Sequence, residues 1–147
     1  MMRFGVAAVA VVFSVHLAVA QDFAAQSQSL MKANNDAIGV LVAIAKGDKP
    51  YDQAAVDTAL ARLGDGAAKM PTLYPDSLKG ATSDARYSPS AKVWDDRAGF
   101  AAQISSFGVA VTDAKSKTKD IETLKASVGA IGNRCGGCHE TYRVRNG

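Results

Sequence analysis

Apolar residues recur every three or four positions along four stretches of the chain, and this period predicts four α-helices. The first predicted helix runs from about Asp22 to Lys46, and Gly47 ends it. The second follows Asp52, whose carboxylate can cap a helix N-terminus, and continues to about Met70. No run alternates with period two for long, so the sequence predicts an all-α protein.

The second half of the chain begins with the longest predicted connection, residues 71–89, which is rich in turn-forming residues. Ser88 and Pro89 are typical of an N-cap and a first-turn proline, so we expect the third helix to begin there. This helix is expected to fade in the lysine-rich segment 115–119, a solvated turn, and Asp120 to cap the fourth helix. Because most links are short, the sequence predicts an up-down-up-down antiparallel four-helix bundle.

The first twenty residues form a segment that is distinct from the predicted helical domain. Arg3 precedes a short apolar run that ends in Ala18-Val19-Ala20, which is the pattern of a secretory signal peptide. We predict cleavage after Ala20, so that residues 1–20 are the signal peptide and residues 21–147 form one domain. The apolar run is short for a membrane span. We therefore expect an exported, periplasmic protein with no membrane anchor after cleavage.

Cys135, Cys138 and His139 form the pattern C-x-x-C-H, the attachment signal for a c-type haem. On a helix, positions i, i+3 and i+4 share one face, so two thiols and an imidazole point at the same flat partner. A zinc site needs four ligands, more than residues 21–147 offer in Cys and His. A redox-active dithiol sits at a helix N-terminus, whereas this motif lies near a predicted C-terminus. We predict one covalent haem c per chain near one end of the bundle.

Met31 is predicted to lie at the same level as His139. The start of the first helix lies beside the end of the fourth in an up-down bundle, and both residues are roughly 12 to 15 Å from that end. Methionine sulfur is a soft iron ligand. The depth argument therefore predicts that His139 and Met31 both bind the iron, while Met70 fills the core.

The charge balance bears on possible partners. The chain has 17 Lys and Arg against 14 Asp and Glu, a small excess that argues against a nucleic-acid partner. Four basic residues fall near the haem end: Lys32, Arg134, Arg143 and Arg145. They predict a local basic patch that steers an acidic partner protein. Scattered surface charge is the alternative interpretation.

Over residues 21–147 the sequence resembles the class II c-type cytochromes. The resemblance is carried by C-x-x-C-H with Tyr142-Arg143 behind it, and by the segments 30–34, 44–56, 73–77 and 92–94. In this family the cytochrome c-prime branch leaves the sixth iron position open, and the cytochrome c-556 branch fills it with a methionine of the first helix. The sequence is more similar to the c-556 branch. Many c-prime proteins carry Arg four residues before the distal position, where this chain has Ser27.

The resemblance implies electron transfer to and from periplasmic partner proteins by a monomer or homodimer that is not an enzyme. The alternative is a five-coordinate protein that binds nitric oxide or carbon monoxide, with Met31 a non-ligating distal residue. A peroxidase would need a second histidine as acid–base, and residues 21–147 contain only His139. Tyr142 is expected to cover the proximal side of the haem. Arg143, four residues after His139, is expected either to adjust the reduction potential or to complement the helix C-terminus.

Overall fold

The structure is a computed structural model that describes residues 9–81 and 85–146, with side chains from residue 22 onward. Its five α-helices span Val9–Lys46 (α1), Gln53–Lys69 (α2), Lys92–Asp95 (α3), Arg97–Lys117 (α4) and Ile121–Tyr142 (α5). Two 3-10 helices follow α2, at Met70–Leu73 and Asp76–Leu78. Two short strands, Tyr87–Pro89 (β1) and Arg143–Arg145 (β2), complete the secondary structure of the described part.

The four long helices form the predicted four-helix bundle. Helix α1 contacts α2 and α5, and α4 contacts the same two helices, so the four close around a common core. Each helix contributes fully buried apolar side chains, among them Leu41, Ile44, Leu60, Leu63, Val111, Leu124 and Ile131. Burial of these side chains removes one stripe of each helix from water, which is the main free-energy gain of the fold. The predicted all-α bundle is confirmed.

Capping side chains set the predicted helix ends. Asp52 accepts hydrogen bonds from two backbone N–H groups at the start of α2, at 2.8 and 3.2 Å. Asp120 accepts one from the N–H of Thr123 at 2.8 Å, and the Thr123 hydroxyl accepts one in return from the N–H of Asp120. Gly47 follows α1 with φ of +83°, a conformation that favours glycine. These predicted ends are confirmed. The sequence could predict them because each depends on the conformation or the hydrogen bonds of neighbouring residues.

The predicted start of the third helix is wrong. Ser88 and Pro89 lie in β1, and α4 begins only at Arg97, after the single turn of α3. Asp96 caps α4, since its carboxylate accepts a hydrogen bond from the N–H of Gly99 at 3.0 Å. Strand β1 pairs antiparallel with β2, with Ser88 opposite Val144. That partner lies at the far end of the chain, so no local pattern reveals it.

Helix α1 begins N-terminal to the predicted start near Asp22. It is continuous from Val9 because residues 17–22 contain neither glycine nor proline. Residues 1–8 of the predicted signal peptide lie outside the described residues. Among the helices of the described part, none combines the length and the apolar character that a membrane span requires.

Gly66 lets α1 and α2 approach closely beside the haem end of the bundle. It is buried in α2, and a Cβ atom there would overlap the side-chain amide of Asn34 on α1. Asn34 lines the cavity described below. The glycine therefore couples the packing of two helices to the shape of the site.

Gly66→Ala is expected to lower the free energy of unfolding of the purified protein by about 1 to 3 kcal/mol, because the new methyl group overpacks the contact with Asn34. Urea denaturation measures this change. Gly129→Ala in α5 is the matched control, since its Cβ would meet no atom. That control should be neutral or stabilise by up to about 1 kcal/mol. Equal effects of the two substitutions would contradict the assignment of Gly66 to helix packing.

Candidate functional site

A cavity of about 890 Å³ lies at the end of the bundle, where the last turns of α5 face residues 25–38 of α1. Its volume is within the roughly 300 to 1,000 Å³ of typical small-molecule and cofactor sites. Much of the wall is apolar, with contributions from α1, α2, α3 and α4: Ile38, Leu63, Val93, Phe100, Ile104 and Phe107. Such a cavity suits a large, flat and mainly apolar cofactor.

Helix α5 brings Cys135, Cys138 and His139 to one wall of this cavity. All three side chains are half-buried, and both thiols are free. Burial lowers the pKa of His139, and the positive charge of Arg143 lowers it further. Both effects favour the neutral imidazole, which is the form that binds a metal.

The structure also bears on the alternatives for the two cysteines. Burial raises the pKa of both Cys135 and Cys138. A redox-active dithiol needs the opposite shift, because its thiolate must form near neutral pH. Across residues 9–81 and 85–146, no three side chains among His, Cys, Asp and Glu cluster as ligands for a metal ion. The size of the cavity, its apolar wall and this donor set fit a covalently attached haem.

Met31 and Met70 both line the cavity. Met31 is half-buried on α1 and packs against the core, on a different helix from His139. Met70 begins the 3-10 helix after α2 and is only 6% exposed, in agreement with the predicted core role. That Met70 also reaches the cavity was not predicted. The structure thus brings the four predicted site residues, Cys135, Cys138, His139 and Met31, to one cavity.

Tyr142 is fixed at the end of α5 by contacts that the sequence did not reveal. Its hydroxyl donates a hydrogen bond to Asp96 at 2.8 Å, and this bond lowers the pKa of Asp96 and raises that of Tyr142. The ring packs on Phe100 with centroids 5.2 Å apart, and Phe100 meets Tyr74 edge-on at 5.1 Å. Burial and, secondarily, Cys138 raise the pKa of Tyr74 to about 12, so this phenol stays neutral.

Arg143 does not occupy the helical position that the sequence predicted. Helix α5 ends at Tyr142, and Arg143 has the extended backbone of β2. The N–H of Ser90 donates to the carbonyl of Tyr142 at 3.0 Å, and its hydroxyl to that of Thr141 at 2.8 Å. Ser90 therefore binds the last carbonyls of α5. The guanidinium of Arg143 instead lies over the ring of Tyr87, 4.2 Å from its centroid, as a cation–π contact.

The predicted basic residues of the haem end differ in their position relative to the cavity. Lys32, Arg134 and Arg143 line the cavity, whereas Arg145 does not. Arg86, which the sequence reasoning missed, does line it. Ser27 is buried, and its hydroxyl donates to the carbonyl of Ala24 at 2.9 Å. The only signal for Arg86 in the sequence is its place in the long connection before β1.

A four-helix bundle whose last helix presents two thiols and an imidazole to a cofactor-sized cavity defines a class of c-type cytochromes. Residues 22–143 match the sequence profile of the family described as Cytochrome C', and the chain belongs to this family. It is 47% identical to cytochrome c-556 of Rhodopseudomonas palustris over the full length of both chains.

Solved structures show the same likeness. The NMR-validated structural model of oxidized cytochrome c556 from R. palustris matches with a TM-score of 0.77 and 50% identity, over 86% of this chain and 99% of that one. Cytochrome c' from R. palustris matches with a TM-score of 0.78 and 31% identity, over 86% and 98%. Members of the family carry a covalent c-type haem and are not enzymes. The predicted class of protein and cofactor are confirmed.

Arg143→Gln is expected to lower the reduction potential of the haem-loaded protein, because the lost positive charge lies close enough to His139 to affect its pKa. Voltammetry measures the potential. Arg145→Gln is the matched control, since it removes the same charge from β2 outside the cavity. Equal potentials in the two variants would mean that Arg143 only stacks on Tyr87.

Proposed function

We propose that the chain is a periplasmic electron-transfer protein in which Cys135 and Cys138 hold a haem c and His139 and Met31 bind its iron. One observation carries the proposal: these four side chains, from two helices, line one cavity of cofactor size. A haem bound there supplies a one-electron couple between ferric and ferrous iron. The similarity to cytochrome c-556 supports this assignment.

Different residues of the site would anchor the haem, bind its iron and exclude water. The thiols of Cys135 and Cys138 would anchor the cofactor to α5, and the imidazole of His139 on the same helix face would bind its iron. Met31 supplies a neutral, soft sulfur from α1, and a His/Met ligand pair raises the reduction potential. The apolar wall around Phe100, Ile104 and Phe107 would keep water from a bound haem, and this would affect its reduction potential.

Export to the periplasm is part of the proposal. The support is the signal-peptide pattern of residues 1–20, together with a family match that begins at residue 22, the second residue after the proposed boundary. Attachment of a c-type haem to an exported chain is consistent with this location. The mass of the exported protein tests the boundary, because cleavage anywhere except after Ala20 would contradict it.

A five-coordinate protein that binds nitric oxide or carbon monoxide is the second candidate. It is favoured by the likeness to cytochrome c' from R. palustris and by the incomplete burial of Met31. In this reading His139 is the single axial ligand from the protein. Met31 then packs on the distal side without binding iron. The two candidates differ in the role of one side chain.

Met31→Ala is expected to convert low-spin ferric iron to high-spin, because no other soft ligand is available on that turn of α1. It should also lower the reduction potential by more than about 60 mV, a tenfold change in the one-electron equilibrium. Carbon monoxide should bind the ferrous variant, and it should leave the optical spectrum of the ferrous parent protein unchanged. Optical spectra and voltammetry of the haem-loaded proteins measure these effects.

Met70→Ala is the matched control, because Met70 lines the same cavity from the 3-10 helix after α2. We expect it to change stability and to leave spin state and carbon monoxide binding as they are. A high-spin parent protein with a spectrum identical to that of Met31→Ala would overturn the assignment of Met31. Loss of the low-spin spectrum in Met70→Ala alone would assign the sixth position to Met70.

Electron exchange requires a partner, and we propose an acidic protein surface that docks at the basic haem end. The support is the cluster of cationic residues around the cavity rim: Lys32, Arg86, Arg134 and Arg143, with Arg145 nearby on β2. Opposite charges on two surfaces raise the rate of encounter, and salt screens this effect. An acidic redox partner could dock in this way whether the protein is a monomer or a homodimer.

Stopped-flow exchange with an acidic redox protein is expected to slow severalfold as ionic strength rises from about 0.01 to 0.15 M, since the Debye length falls over this range. Arg134→Gln should weaken the salt dependence. Arg62→Gln, an exposed charge on α2 away from the cavity, should not. A rate that does not change with salt would contradict electrostatic docking.

A further inference from the structure

The rim of the cavity has a charge pattern that the axial ligands do not explain. Lys32, Arg86, Arg134 and Arg143 line it, and none of the lining residues in the described part is Asp or Glu. A c-type haem carries two propionate carboxylates. Carboxylates at a protein wall need charge-assisted hydrogen bonds in place of the water they lose. The positive charge of the rim is therefore complementary to the negative charge of the propionates.

We propose that Arg86, directly before β1, is the residue that binds a propionate carboxylate of the haem. The inference rests on the proposed function, since it assumes that the haem occupies this cavity. It assigns a role to a residue that does not belong to the C-x-x-C-H motif or to the axial pair.

The other three cations are less suited to this role. Lys32 already forms an ion pair with Asp36 at 2.6 Å. Arg134 directly precedes Cys135, so its backbone lies at the thioether edge, and the propionates of a haem lie on the opposite edge of the macrocycle. Arg143 also lies over the Tyr87 ring, 4.2 Å from its centroid, but its backbone directly follows α5, the helix that carries the two thiols, four residues after His139. Arg86 forms no ion pair with any residue that the structure describes.

The backbone around Arg86 is fixed by the C-terminal segment. The carbonyl of Arg86 accepts a hydrogen bond from the N–H of Asn146 at 3.0 Å, and the Asn146 amide donates to the hydroxyl of Ser88 at 2.7 Å. Pairing of β1 with β2 continues this contact along residues 87–89. The anchor point of the Arg86 side chain is thereby held in place before any ligand binds.

The side chain of Arg86 is also partly positioned. Its Cζ atom lies 5.4 Å from the centroid of the Tyr87 ring, within the distance of a cation–π contact. A guanidinium that lies on an aromatic ring keeps its N–H groups free in its own plane, where they can bind both oxygens of a carboxylate. On helix α1, the position four residues before Met31 carries no charge: it is Ser27, which is buried and whose hydroxyl donates a hydrogen bond to the carbonyl of Ala24.

The test compares the haem-loaded parent protein with Arg86→Gln and with the matched control Arg145→Gln. Arg145 lies opposite Tyr87 in the strand pair and does not line the cavity. The reduction potential is measured against pH. Ionisation of a propionate adds negative charge near the iron and stabilises ferric iron, so the potential falls as pH rises through the propionate pKa.

A bound arginine lowers the pKa of a carboxylate. Loss of Arg86 is therefore expected to raise the propionate pKa. In Arg86→Gln the potential should fall at a pH about one unit or more above that of the parent protein. Arg86→Lys should restore part of the difference, because it keeps the charge. Arg145→Gln should leave the titration where the parent has it. Arg86 is exposed, so the substitution leaves the core intact, and circular dichroism verifies the helix content.

The outcomes separate this inference from the proposed function. Coincident titrations of Arg86→Gln and Arg145→Gln, in proteins whose haem survives denaturation, would overturn the role of Arg86 alone. A larger displacement in Arg134→Gln or Arg143→Gln than in Arg86→Gln would overturn it as well. A parent protein that loses its haem on denaturation would refute the proposed covalent site itself.

Discussion

The end of α5 imposes the constraint on which the rest of the site depends. Two thiols and one imidazole must project from one face of the helix into a cavity. The last two turns therefore have to remain helical and fixed in direction. The structure meets this requirement just beyond His139. Ser90 binds the final carbonyls of the helix, and Tyr142 is bonded to Asp96 at the start of α4. The haem-binding turns are thus held between two neighbouring elements.

The cavity combines an apolar interior with a cationic rim, and these two regions have different consequences. The apolar interior would keep water from a bound haem, and the hydrophobic surroundings of a metal site affect its reduction potential. The rim stays in contact with solvent, where charges act on carboxylates and on approaching proteins. Arg143 belongs to both regions, because it lies on the exposed Tyr87 ring and still lowers the pKa of His139.

The strand pair β1–β2 gives a structural role to the segment that follows the haem motif. Residues 143–145 pair with residues 87–89, and this pairing holds β1 against the cavity. Asn146 extends the contact to Ala85 and Arg86. Residues 85–89 thereby form part of the wall of the site. Its position then depends on where α5 ends.

The sequence by itself determined the bundle, the caps at Asp52 and Asp120, and the C-x-x-C-H face, because each depends on periodicity or on hydrogen bonds within about four residues. It also placed Met31 at the correct end, since helix lengths and short links constrain depth. Only the tertiary structure decided that Tyr142 bonds to Asp96, 46 residues away, and that Arg86 reaches the cavity. Such contacts depend on how distant segments pack, and local residue patterns carry no information about that.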